Sequence, residues 1–308
     1  MQPPLGGGGG RGHGGHPSDG ERGRHGGAGA GRPRNPLPHR GRAWGLPAHG
    51  ARAGPTGRGS GAGGPVHIRA YGVGVPGPVD QQAGTVKTPP VMPGRRHGYP
   101  IREALVEAWG RPVLLNNNAN LGAFGEWAYG ADPLLYIKVG SGIGAGWVIH
   151  GQIYCGATGS AGEIGHLTIV ENGPRCTCGN RGCLEALAGG RAIARQAQEA
   201  VRAQQPTQLA LIIGPPETLT AHEVALAARR GDLVAQQILR QAGEYLGIAV
   251  ANLINLLNPA VVVFGSGVAQ VGDLLLEPVR REVQRRSLPP WPRPPVSPRP
   301  CWGATPRR

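Results

Sequence analysis

Three apolar runs set the fold open to this chain. PVLLNN (112–117), LLYIKVGSGIGAGWVIHGQIY (134–154) and AVVVFGSGV (260–268) each pass from aliphatic residues into asparagine or glycine, as buried strands do on reaching a turn. The middle run reads as two strands around a glycine turn. VHIRAYGVGVPG, from Val66, alternates like a further strand. Helical patterns lie between these runs. IREALVEAWG (101–110) is amphipathic and stops at Gly110, a helix follows the asparagines through about Tyr129, and another extends from Leu184 to about Gln204. Thr220-Ala-His-Glu223 is a capping box. Gly231-Asp232 restarts the helix, and apolar residues recur through Leu239, Leu246, Val250, Leu253 and Leu257 until Asn258-Pro259 ends it. VGDLLLEPVRREVQRR (271–286) is the last helix. Strands alternating with helices predict an α/β layer fold with a largely parallel sheet.

The two ends obey different rules. Residues 1–66 hold 23 glycines and only isolated aliphatic residues, which cannot offset the entropy of ordering. Residues 287–308 continue a segment, RRSLPPWPRPPVSPRPCWGATPRR, with prolines too dense for a helix or a central strand. The expectation is a low-complexity Gly/Arg/Pro segment at 1–66, disordered or read out of frame, a folded domain at 67–286, and a disordered tail at 287–308. The net charge of +14 divides along the same lines. Residues 1–66 carry nine arginines against Asp19 and Glu21, or +7, and 285–308 carry six arginines and no acid, or +6. The remaining 218 residues balance 17 basic against 16 acidic groups. The folded part is thus neutral, and its charge gives no sign of a DNA-binding face. No run of eighteen apolar residues occurs and Met1 opens no charged-then-apolar leader, so a cytoplasmic protein without a membrane partner is expected.

Chemistry concentrates in GHLTIVENGPRCTCGNRGC. His166, Cys176, Cys178 and Cys183 are the ligand types tetrahedral zinc prefers, and four of them in one loop predict a closed, structural site. Three buried thiols beside an unrelated histidine is the alternative. Cys155 and Cys301 read as lone thiols. Glu163 and Glu185 flank the loop. Paired carboxylates and an imidazole suit vicinal sugar hydroxyls, which donate and accept at once; a turn acid and a first-turn helix acid explain the same residues equally well. VGSGIGAG (139–146) and FGSGV (264–268) can each be a phosphate cradle or a plain glycine turn.

Taken together, GVGVPGPVD, NNNANLGAFGE, VGSGIGAG, GATGSAGEIGH, CTCGNRGCLE and LINLLNPAVVVFGSGV resemble the ROK family (repressors, open reading frames and kinases) from about Ile68 to about Arg286. The resemblance implies an actin-like ATPase (ribonuclease H-like) fold, two α/β lobes around a sugar cleft with the first lobe incomplete here, zinc beside the cleft, and a homodimer. It assigns the sugar to Gly77, Asn117, Asn118, Glu163, His166 and Glu185, and the metal to His166, Cys176, Cys178 and Cys183. In a kinase, Gly140, Ser141, Gly142 and Gly144 would face the nucleotide phosphates and Gly265 and Gly267 the adenosine, with ATP and Mg2+ as cofactors.

Two departures bear on activity. Sugar-phosphorylating members read Val-Glu-Asn-Asp-Ala-Asn where this chain has Leu115-Asn116-Asn117-Asn118-Ala119-Asn120. That aspartate takes the proton of the attacking hydroxyl; Asn118 cannot, so no catalytic residue is expected. Kinases of the family also open with an Asp-x-Gly-Gly-Thr turn that anchors ATP, and no such sequence precedes Val66. The expected function is therefore the sugar-sensing domain of a ROK-type transcriptional regulator, binding a hexose, pentose or amino sugar. No helix-turn-helix pattern stands in 1–66, so operator DNA is a partner only where such a module is present. The alternative is an impaired glucokinase-like enzyme.

Overall fold

A computed structural model describes residues 68–87, 98–212, 214–288 and 296–297, all within the unit Pro65–Arg308. The expectations for 1–66, for most of 287–308 and for Cys301 lie outside the described residues.

A small parallel pair comes first. β1 (Tyr71–Val75) lies beside β4 (Val113–Asn117) in the register Tyr71↔Val113 to Val75↔Asn117. β2 (Val79–Asp80) and β3 (Thr85–Val86) form a short antiparallel ladder between them in sequence. α1 (Ile101–Trp109) leads back to β4 and closes on Gly110, which takes the left-handed C-cap expected of it (φ 61°). α2 (Asn118–Trp127) follows β4 with no linker.

The main sheet has five strands in the order β7 (Gln152–Ile153), β6 (Ile143–Ile149), β5 (Leu134–Val139), β8 (Val261–Gly265), β9 (Val296–Ser297). It is mixed rather than largely parallel. β5 and β8 run parallel, as do β8 and β9, but β5–β6 and β6–β7 are antiparallel. The reason is local: Gly140, Ser141 and Gly142 close a hairpin, and a parallel return would need a crossover of about a dozen residues. His150-Gly151 closes a second hairpin, so the middle run holds three strands. β9 comes from the proline-rich tail and occupies an edge position, where missing N–H donors are tolerated.

β5 is buried on both faces apart from the half-buried Lys138, which its otherwise apolar run anticipates. Leu135, Ile137 and Val139 join the large core formed with Leu184, Ile193, Leu246, Val250, Phe264 and Leu275. Leu134 and Tyr136 face the other way, against Ala119 and Ala123 of α2. The domain is thus helix, sheet, helices. The predicted helix from Leu184 breaks into α3 (Leu184–Ala188) and α4 (Gly190–Arg202), because Gly189 is extended (ψ 159°) and Gly190 donates to the Gly140 carbonyl at 2.8 Å. α5 (Ala221–Arg229) carries its capping box as predicted. α6 (Leu233–Leu257) runs from Asp232 to a left-handed Asn258, and α7 (Asp273–Arg286) packs along it. Gly243 and Gly247 permit this approach: a Cβ there would lie 2.4 Å from the Leu275 carbonyl oxygen and 2.5 Å from the Glu282 Cβ. None of the described helices is long and apolar enough to cross a membrane.

Asp232 supports more than its helix. Only 5% exposed, it accepts from the Ala235 N–H, the Gln208 N–H and the Thr207 hydroxyl. Burial opposes ionisation, but these donors outweigh it and hold the carboxyl below its ordinary value of 3.8. Asp232→Ala is expected to lower stability by about 3 kcal/mol at neutral pH. Because the folded value is depressed, this stabilisation is full above pH about 4 and fades as pH falls below 3.8. Urea unfolding of both proteins at pH 7 and pH 3 checks it: the gap should narrow at the lower pH.

Candidate sugar and metal site

The asparagine run divides its labour. Asn117 is the N-cap of α2, its Oδ1 accepting from the N–H groups of Ala119 (2.7 Å) and Asn120 (3.4 Å). Its Nδ2 donates to the Gly77 carbonyl at 2.9 Å, which places those two predicted residues together and leaves one amide hydrogen for a ligand. Asn116 Oδ1 accepts from the Asn117 N–H and from Asn120 Nδ2, at 2.8 and 3.1 Å. Asn118, the first helical residue, is half-buried, and its side chain forms no hydrogen bond with any described residue. It is the member of the run whose side chain is wholly left to a ligand.

Contacts carry this end of α2 to the acidic loop. Asn120 Nδ2 lies 4.0 Å from Cys155 Sγ, and the Ala145 N–H donates to the Gly162 carbonyl at 2.7 Å. Glu163 then opens a 3-10 turn, Ile164–His166. The imidazole has two neighbours: Nε2 is 3.9 Å from Glu163 Oε2, and Nδ1 is 3.6 Å from Cys176 Sγ.

Sequence spacing predicts the four-ligand cluster, and the structure forms it. One ligand atom from each of His166, Cys176, Cys178 and Cys183 lies within 4.8 Å of every other. Cys178 Sγ and Cys183 Sγ are 3.7 Å apart. Tetrahedral zinc with metal–sulfur bonds of about 2.3 Å needs sulfur–sulfur edges of about 3.8 Å, so the residues fit that ion. Cys183 is fully buried, and burial together with the neighbouring Cys178 and Cys176 thiols pushes its pKa up to about 12. Such a thiol becomes a thiolate at neutral pH only beside a strong positive charge.

Glu185 follows the last cysteine in α3. Its Oε2 accepts from the Ile143 N–H at 2.9 Å and fills the space beside Gly142, where a Cβ would lie only 2.3 Å from it. Burial raises the Glu163 carboxyl above its ordinary range; the nearby His166 lowers it, and the charge of Glu185 raises it further. Glu163, His166 and Glu185 therefore share one electrostatic neighbourhood.

Of the predicted phosphate residues, Gly140 donates to the Gly142 carbonyl at 2.9 Å, a hairpin turn. The carbonyls of Gly140 and Ser141 accept from Gly190 and Arg191 at the start of α4, so the turn is anchored. Gly265 ends β8 beside β5 and lies under Tyr136, whose hydroxyl occupies the space a Cβ would take. Gly144 faces Ala119 across β6, and Gly267 has open space where a Cβ would be. Two polar residues here were missed in the sequence, Lys138 and Ser266. The signal for Lys138 was a single charge inside an apolar strand.

The ROK family pattern matches residues 64–301. Glucokinase of Halalkalibacterium halodurans is 40% identical over 223 residues, covering 71% of this chain and 67% of that enzyme. The xylose repressor of Caldicellulosiruptor bescii is 36% identical over 229 residues, and the match spans 73% of this chain but only 56% of the repressor. The solved ROK glucokinase of Streptomyces griseus, in complex with glucose and AMPPNP, superposes with a TM-score of 0.65 at 33% identity, covering 71% of this chain and 72% of that one. The fold is the actin-like ATPase fold, and the chain belongs to the ROK family.

Proposed function

We propose that this chain is the sugar-recognising domain of a ROK-type transcriptional regulator, which binds a hexose, pentose or amino sugar without phosphorylating it. One observation carries the reading: Asn118 begins α2 at the carboxyl end of β4, where the resemblance to sugar kinases puts the proton-accepting aspartate. A carboxamide hydrogen-bonds a hydroxyl but takes no proton at neutral pH. The remaining groups suit recognition. Glu163 and Glu185 can accept hydrogen bonds from hydroxyls, Asn117 offers its free amide hydrogen, and the second nitrogen of His166 lies toward Glu163. The resemblance to a xylose repressor supports the same reading.

Zinc held by His166, Cys176, Cys178 and Cys183 would be structural, because four protein ligands leave no open position for substrate. Its part would be to clamp the chain between Glu163 and Glu185. A second reading, an ATP-dependent hexose kinase, is favoured by the 40% identity to a glucokinase. Titration with glucose, xylose and N-acetylglucosamine, run beside a coupled ADP-release assay, separates them. Binding without turnover is expected; turnover comparable to an ordinary hexokinase would favour the enzyme.

A further inference from the structure

The three thiols of the metal cluster differ in accessibility. Cys183 is fully buried and Cys176 is 9% exposed, whereas Cys178 lies at the surface. Local backbone explains the difference. The Cys176 N–H donates to the Asn180 carbonyl at 2.8 Å and the Gly179 N–H to the Cys176 carbonyl at 3.0 Å, so residues 176–180 close a tight turn. Arg175 and Arg181 pair across its base, and Cys178 is carried at its tip between the exposed Thr177 and Gly179. Gly179 has a left-handed φ of 98° and open space where a Cβ would be, so solvent reaches the turn. The neighbour of this exposed sulfur is a protected one. Cys183 Sγ lies 3.7 Å from Cys178 Sγ, in van der Waals contact, and a disulfide needs about 2.05 Å. An accessible thiol poised beside a second, shielded thiol is the arrangement in which oxidation ends reversibly in a disulfide.

We infer that this cluster is a redox switch: a peroxide oxidises Cys178, Cys183 resolves it, and the resulting disulfide loosens the sugar pocket. The Cys178 thiolate attacks one oxygen of hydrogen peroxide, breaking the O–O bond and leaving a sulfenic acid and hydroxide. The Cys183 thiolate then attacks the sulfenic sulfur, the S–S bond forms and the second hydroxide leaves. The two sulfurs together lose two electrons, the peroxide gains them, and two protons from solvent complete two waters. His166 and Cys176 alone cannot close a tetrahedral shell, so zinc bound to the cluster would be released. The consequence reaches the pocket through the backbone, since Cys183 pairs with Thr168 just beyond His166 and immediately precedes Leu184 and Glu185. Its effect on sugar affinity rests on the sugar-binding reading. That effect should be smaller than the loss of Cys183 itself produces, because the disulfide still ties Cys183 to the turn.

The test uses the full chain carrying Cys155→Ser and Cys301→Ser, so that only the cluster thiols remain, reconstituted with zinc and treated with hydrogen peroxide. Zinc release to a chromogenic chelator, peptide mapping by mass spectrometry and titration with glucose, xylose and N-acetylglucosamine are read on the same samples. Dimedone, a trap for sulfenic acid, is expected to label Cys178 during brief treatment. Complete treatment should release the zinc, join Cys178 to Cys183 and weaken sugar binding by about ten- to a hundredfold, the ordinary range of coupling between two sites. Dithiothreitol with fresh zinc should restore both metal and affinity. Dimedone on Cys176 or Cys183, a disulfide between another pair, or zinc retained under peroxide that fully oxidises free cysteine would overturn the inference. So would unchanged sugar affinity after complete zinc release. Failure to bind any sugar before treatment, with the Cys178–Cys183 disulfide still forming and zinc still released, would remove the sugar reading and leave the oxidation standing.

Discussion

Asn118→Asp is expected to raise hexose phosphorylation by about 10²–10⁴-fold over the unmodified chain, the range a positioned general base contributes. The backbone is ready for the change. Asn117 already caps α2 through the Ala119 and Asn120 amides, so the residue at 118 keeps its place whichever side chain it carries. A carboxylate in the first turn also sits favourably against the helix dipole, worth about 0.3–1 kcal/mol, and the variant should fold at least as well as its parent. Coupled ADP release with glucose, N-acetylglucosamine and xylose is the measurement, with Asn118→Ala as a control that lacks both proton acceptance and the amide. Equal rates for the parent and the aspartate variant would show that position 118 does not limit transfer.

Cys183→Ser is expected to abolish stoichiometric zinc and to weaken sugar binding by more than about 100-fold. Cys183 is fully buried and immediately precedes Leu184 and Glu185, and its backbone pairs with Thr168 just beyond His166. Loss of one ligand frees both flanks together. His166 then keeps no fixed orientation toward Glu163, and Glu185 loses the anchor that holds it against Ile143. Zinc binding by these residues would require deprotonated thiols, so zinc affinity should fall as pH is lowered. Elemental analysis and sugar titration of the same preparations check both parts. Full sugar affinity in zinc-free protein would separate the metal from the pocket.

Local signals in the sequence carried far, and long-range ones did not. The capping box at Thr220, the restart at Asp232 and the stop at Asn258 are each set by a few adjacent residues, and all stand where the pattern puts them. The metal loop was legible for the same reason: its ligands lie close along the chain, so spacing nearly determines geometry. Gly189 was not legible as a break. Its neighbours keep helical spacing, and the interruption comes from Gly190 bonding a carbonyl of the distant β5–β6 hairpin. Mixed strand direction was readable in principle, since a turn of three residues excludes a parallel return. Lys138 could have been flagged from its apolar surroundings, but the glycines in register with it, Gly144 and Gly265, come from two other strands that only the assembled sheet brings beside it. The proximity of Glu163 to Glu185 was open for the same reason, because it follows from the cysteine loop folding back on β6.

Calorimetric titration of folded, zinc-loaded protein with glucose, xylose and N-acetylglucosamine, followed by assay of the same samples for ADP release from ATP, bears most directly on the claim of recognition without transfer. Saturable heat for at least one sugar with negligible ADP is the predicted result. Flat titrations for every sugar, or rapid ADP formation by the unmodified chain, would contradict it.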